Sequence, residues 1–346
     1  MKPVARHLDA LAHPSSSDCD VAVVLLHRGG PQARDEIVPF YDRLWTDPTV
    51  MPPRGLFSRV DPKAALAEAT DALLKAYGLI GARSPVNDLA RSQARALENV
   101  LNGKPLQAAV AAGRHRVFAG FVDGGRNLED VARAIAASRA RQVIVIPLYP
   151  HFAQSLGGAC IEAFEAAALA AGIRAPRTVI DSFHDDSGYR ASLLDKTTSA
   201  FDLIPPDLRE SAFLLFSVHA PTKGHERAED RFLAATDATA TWLMQAVGFD
   251  ESRCAVGYQG FGGPGGVLEP IVHQLGIDVA KQGRAAVVVV ALSYVTDSFE
   301  TLHDLDIELY TAARNAGAKQ VRRAPSQNAA PLFIEALAKL VLPSSR

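Results

Sequence analysis

The chain has 346 residues, 48% of them hydrophobic and 21% charged, with a formal net charge of −2. That length suits about two domains, and a near-neutral balance without a basic tract gives nucleic acid and acidic membrane surfaces no electrostatic hold. Cys19, Cys160 and Cys254 lie far apart without C-x-x-C spacing, which argues against a disulfide framework or a cysteine zinc site and for a reducing cytoplasm.

The N-terminal "MKPVARHLDALAHPSSSDCD" has no continuous apolar core of signal-peptide length, so export is not expected. A first strand is predicted at "VAVVLL" (21–26), running into His27-Arg28-Gly29-Gly30-Pro31. The helical pattern "NDLARSQARALENVL" (87–101) follows, with Asn87 as its N-cap. Next come a strand "VFAGFV" (117–122), a helix "NLEDVARAIAASRA" (127–140) capped by Asn127, and a strand "QVIVIPLY" (142–149) entering Pro150-His151. "AAGIRAPRT" (170–178) is a Gly/Pro break near mid-chain.

Beyond it the alternation repeats. Strands are predicted at "RTVIDSF" (177–183), "AFLLFSV" (212–218), "CAVGYQ" (254–259) and "AAVVVVALSYV" (285–295), with a helix at 228–247. The longest apolar run, "AAVVVVAL", is too short to span a bilayer. The runs are apolar throughout, as in strands covered on both faces of a parallel sheet. Strand–helix alternation therefore implies an α/β fold. Division at the break yields two similar halves, residues 1–172 and 173–346, with the C-terminal end expected to pack back on the first half. "VVLLHRGGP" and "LLFSVHAP" both end an apolar run on a histidine, which supports duplication.

In open parallel sheets, ligands bind beyond the carboxyl ends of the strands. There the chain places His27, Arg28, Tyr149, His219, Tyr258 and the stretch Asp297 to Glu300. In "DSFETLHDLDIE" (297–308), Glu300, Asp304 and Glu308 follow at i, i+4 and i+8. On an α-helix such positions drift only about 40° per step and form a carboxylate ridge. The ridge reads either as a solvated acidic face or as a path for hard divalent ions and protons. His219 reads either as a hydrogen-bonded structural group or as a base, and Glu300 at the same edge offers it a partner. The glycine-rich "GYQGFGGPGGVLEP" lacks both phosphate-loop fingerprints, and there is no G-x-S-x-G elbow or H-E-x-x-H. Nicotinamide, ATP, serine-triad and permanent zinc chemistries are disfavoured, whereas a transient metal at His219 and Glu300 stays open.

"VVLLHRGGPQARDEIVPFYDRLWTDPTV", "VIVIPLYPHFAQSLGG", "FSVHAPTKG", "YQGFGGPGGVLEP", "YVTDSFETLHDLDIE" and "APSQNAAPLFIEAL" resemble, in order and spacing, the ferrochelatases. These enzymes insert ferrous iron into a porphyrin late in haem synthesis. The resemblance spans Val21 to Leu340 and implies two Rossmann-like halves around a cleft. It implies Fe2+ and protoporphyrin IX or coproporphyrin III as substrates, with no tightly bound cofactor. His219 matches the family's active-site histidine and Glu300 its partner acid, both as metal and catalytic residues, with Asp304 and Glu308 as the relay. His27, Arg28, Tyr149, Phe261, Gly263 and Pro264 fall where the porphyrin would lie. An iron–sulfur cluster is not expected, since the three cysteines offer too few grouped ligands.

The chain also departs from the pattern. His27-Arg28-Gly29 replaces Asn-Leu-Gly, Ala220 replaces a glycine, and "AGFVDGG" (119–125) and the loop after Gln259 lack the family's basic residues. A rival reading is thus a porphyrin- or haem-binding relative without chelatase activity; a cobalt or nickel chelatase is a third. A peripheral membrane contact, and the choice between monomer and dimer, stay open.

Overall fold

Apolar runs too uniform for a half-exposed sheet form the two layers that organise the chain. The computed structural model describes residues 18–50, 61–103, 113–124, 128–219, 230–260 and 268–342. Strands β1 (Val21–His27), β2 (His115–Phe121), β3 (Gln142–Pro147) and β4 (Arg177–Val179) make one parallel sheet in the order β2-β1-β3-β4. Strands β5 (Ala212–His219), β6 (Cys254–Gln259), β7 (Ala286–Ala291) and β8 (Gln320–Arg323) make a second in the order β6-β5-β7-β8. The same order occurs twice, so β1 and β5 are topological counterparts. All of β5, and all of β1 after Val21, is buried, as central parallel strands require.

Because β4 pairs with β3, the first sheet runs past residue 172, where the sequence reading divides the chain. That strand is only three residues long and exposed, shorter than "RTVIDSF" suggests. Strand β8 has no forerunner in the sequence reading, since Val321 is its only apolar residue.

Helices α1 (Ile37–Thr46) and α2 (Pro62–Leu79) pack on one another around a small core of their own, including Ile37, Tyr41, Leu44, Leu66 and Tyr77. Asp61 caps α2 by accepting from the Lys63 amide, with Pro62 in the first turn, where a missing N–H costs nothing. Helix α3 (Val86–Leu101) lays Ala90, Ala94 and Leu97 on the main core.

Asn87 is not the cap of α3. Pro85 holds that place, and Asn87 lies inside the helix, fully buried, with its amide turned to the loops after β1 and β2. Asn127 lies outside the described residues, one position before α4 (Leu128–Ala137).

The remaining α-helices among the described residues are α5 (Ala159–Ala170), α6 (Ser187–Asp202), α7 (Asp230–Ala246), α8 (Val272–Lys281), α9 (Tyr310–Asn315) and α10 (Pro331–Val341). The last packs against both α3 and α6. One continuous core joins the two sheets, taking Leu214, Phe216 and Val218 from one face of β5, while Phe213 and Leu215 on the other face enter a second core under α8. Among the described residues no helix is long and apolar enough to cross a membrane.

Candidate active site

The duplicated order delivers a histidine to the same corner of each sheet. His27 ends β1 and His219 ends β5, at 5% and 3% exposure. Each meets a tyrosine that follows the third strand of its own half. The Tyr149 hydroxyl lies 3.3 Å from His27 Nδ1, and the Tyr294 hydroxyl 2.8 Å from His219 Nδ1. Tyr294 was not foreseen, although its place after β7 matches that of Tyr149 after β3.

The two pairs differ in how the ring is held. The Gly29 amide donates to His27 Nδ1 at 2.9 Å, which makes Nδ1 an acceptor and leaves the proton of the neutral ring on Nε2. That turn needs glycine: Gly29 has φ +91°, and a Cβ there would meet the Gly124 carbonyl at 2.7 Å. For His219, it is the backbone amide that donates, to Ser293 Oγ at 2.9 Å. Burial, aided by the positive charge of Arg28, lowers each imidazole to about 3, so both rings are neutral at pH 7.

The chain leaves β7 through Ser298 and enters a helical segment at Glu300. The sequence reading treats 297–308 as α-helix; Glu300–Leu309 is instead wound as a π-helix, whose wider i→i+5 turn is rare and concentrated at functional sites. Its carboxylates run from the interior outward. Glu300 accepts from Ser298 Oγ at 2.6 Å, Asp304 follows at 19% side-chain exposure, and Glu308 reaches 55%. Burial raises the carboxyl of Glu300, against the Ser298 hydrogen bond and with help from Asp304. Burial also raises Asp304, opposed by His303.

Two histidines on this path were missed. His303 Nδ1 lies 2.9 Å from Asp304 Oδ1, and its Nε2 is 4.0 Å from Glu308 Oε1. Ligand atoms of His303, Asp304 and Glu308 fall within 4.8 Å of one another, close enough to hold one ion. The hydrogen bond to Asp304 raises His303 above its usual range. His273, on α8, contacts the Asp304 carbonyl at 2.8 Å and Glu308 at 3.7 Å. His303 was visible inside "ETLHDLDIE"; nothing near His273 in the sequence marks it.

Arg28 is 2% exposed and lines the same cavity as His27 and Glu300, with its guanidinium held by protein groups. Its Nε bonds Asp123 Oδ2 at 2.7 Å, its Nη2 bonds Asp47 Oδ2 at 2.6 Å, and its Nη1 donates to the Ser155 carbonyl at 3.0 Å. The cation is therefore offset by two carboxylates. His27, Tyr149, Tyr294 and Glu300 line one cavity, roofed by Tyr41 and Tyr77 from α1 and α2. Its volume is about 30 Å³, room for roughly one water. Phe261, Gly263 and Pro264 lie outside the described residues.

Two matching parallel α/β halves, with titratable side chains gathered at their strand ends, make up a chelatase-type fold. SirB from Bacillus subtilis, solved with Fe3+, has this fold, with a TM-score of 0.54 at 10% identity, covering 93% of this chain and 94% of that one. The family model for ferrochelatase matches residues 20–345. The ferrochelatase of Geotalea daltonii is 31% identical over 92% of this chain and 96% of its own length. That of Thermosynechococcus vestitus is 30% identical over 92% and 81%. The chain belongs to the ferrochelatase family.

Proposed function

We propose that this protein is a lyase of haem biosynthesis that inserts Fe2+ into protoporphyrin IX or coproporphyrin III, with His219 and Glu300 at the reacting centre. The observation that supports these roles is that Tyr294 and Glu300 line one cavity, which His219 adjoins through its bond to Tyr294 without being among the lining residues. Insertion forms four iron–nitrogen bonds and releases two pyrrole protons, so the site needs a neutral donor for the cation and an acceptor for the protons.

The pKa shifts divide those tasks. An imidazole lowered to about 3 stores a proton poorly at pH 7 but keeps its lone pair for a metal. A carboxylate raised by burial is the better proton acceptor, which supports Glu300 for that step. Asp304 and Glu308 continue from it to the surface and serve both outgoing protons and incoming Fe2+. His27, with its proton on Nε2, and Tyr149 line the same cavity as Glu300, where the macrocycle would lie.

The rival reading, a binding protein without insertion, drew on the charge of Arg28. Its pairing with Asp47 and Asp123 offsets part of that charge, although Arg28 still opposes protonation of His27 and His219. Anaerobic insertion assays test the proposal. His219→Ala is expected to lose at least about 100-fold in rate, with an unchanged circular dichroism spectrum. Insertion at the wild-type rate in that variant would remove His219 from the centre. A wild-type chain that binds porphyrin yet inserts neither Fe2+, Zn2+ nor Co2+ would select the rival.

A further inference from the structure

Helices α1 and α2 roof the cavity with Phe40, Tyr41, Leu44 and Tyr77, yet they keep a core of their own. A unit with its own core can move against the sheets as a body, so its position depends on what ties it to them. On one side Tyr77 stacks on Phe299 at 4.4 Å between ring centroids. On the other, Arg43 of α1 donates to the Asp123 carbonyl at 2.6 Å. Asp47, the residue that closes α1, meets Arg28 at 2.6 Å.

The two carboxylates on Arg28 are not equivalent. Asp123 has 9% side-chain exposure and lies on the sheet edge, whereas Asp47 has 24% and sits at the end of the roof. If Asp47 withdraws, its carboxylate reaches water and Arg28 keeps Asp123 as counter-charge. No buried ion is left alone, and the usual heavy penalty for breaking a buried pair is avoided. A cavity of about 30 Å³ does not admit a four-pyrrole macrocycle until the roof lifts.

We propose that Arg28 is a positioning residue whose ion pair with Asp47 latches α1 and α2 over the cavity, and that release of this pair admits the macrocycle; the proposal rests on the porphyrin reading of the site. Arg28 lines the cavity beneath the roof and acts on the roof through Asp47.

The test uses Asp47→Asn, with Arg28→Lys as a second variant, because an ammonium cannot reproduce the guanidinium fork across two carboxylates. Asp35→Asn, at an exposed site outside the latch, is the control. Stopped-flow fluorescence of metal-free porphyrin reads association and dissociation, and amide hydrogen exchange over 37–47 reads the roof without ligand. Both variants should raise both rate constants by about tenfold, the factor carried by about 1.4 kcal/mol, and speed exchange in α1. Asp35→Asn should match wild type. Unchanged exchange and rates in both variants, in a chain that binds and metallates porphyrin, would overturn the latch alone. Faster exchange in the variants of a chain that never binds porphyrin would support the latch and overturn the porphyrin reading.

Discussion

Asn87 accepts from the Gly30 amide at 3.1 Å and donates to the Gly30 and Gly124 carbonyls at 3.4 and 3.0 Å. One buried amide thus fastens the turns that follow β1 and β2, the turns that carry His27, Arg28 and Asp123. Removing it leaves buried backbone groups without their partner, so Asn87→Ala should cost about 3 kcal/mol in urea unfolding. A loss below about 1 kcal/mol would mean that water takes over those bonds. Local rules read Asn87 as a cap because asparagine before a leucine-rich run satisfies that pattern. Arg28 posed the same difficulty. Its partners lie 19 and 95 residues away, so local sequence shows a cation at a ligand edge and not the two carboxylates that neutralise it.

The segment Glu300–Leu309 shows how the winding of a helix bears on chemistry. An α-helix and a π-helix both keep Glu300, Asp304 and Glu308 near one line, since four residues are close to one turn in each. The acidic series was therefore legible, and the winding was not: no residue in "ETLHDLDIEL" marks the wider turn. Glu308, at 55% exposure, is the outer member, with His303 and His273 beside it. Glu308→Gln should raise the KM for Fe2+ about fivefold, as expected for loss of an exposed charge worth about 1 kcal/mol, with little change in kcat. Initial rates against Fe2+ under anaerobic conditions check this. A lowered kcat at unchanged KM would place Glu308 in the chemical step.

The duplicated architecture buries histidines deeply enough to couple the stability of the whole protein to pH. His27, His151 and His219 are each lowered to about 3, by burial first. Unfolded histidine titrates near about 6.5, so the unfolded state binds more protons between about pH 3 and 6.5. Stability from these groups is complete above that window and falls as pH drops through it. Glu300, Asp304 and Asp123 are raised and act with the opposite sign, favouring the folded state at acid pH. His151 isolates the histidine effect, since it is 1% exposed and is held by Thr239 at 2.9 Å, outside the residues that line the cavity. In His151→Gln, the fall in unfolding free energy between pH 6.5 and pH 4 should be shallower, by up to about 1.4 kcal/mol per pH unit. An identical pH profile in the variant would show that His151 does not titrate in this way.

By itself, the sequence determined the parallel two-half plan and the edge at which His27 and His219 emerge. A strand covered on both faces must be apolar along its whole length, so the runs are visible as composition, and a residue that ends a central strand must emerge at its carboxyl edge. His27 and His219 follow from that rule, whereas Glu300 lies past β7, at the start of the helical segment that follows it. Only the tertiary structure decided which charges cancel, which tyrosine holds each histidine, how the acidic segment is wound and how α1 and α2 close the cavity. Those outcomes depend on distances between residues far apart in the chain and on burial, which sets the cost of charge. Neither is written in the order of neighbouring side chains.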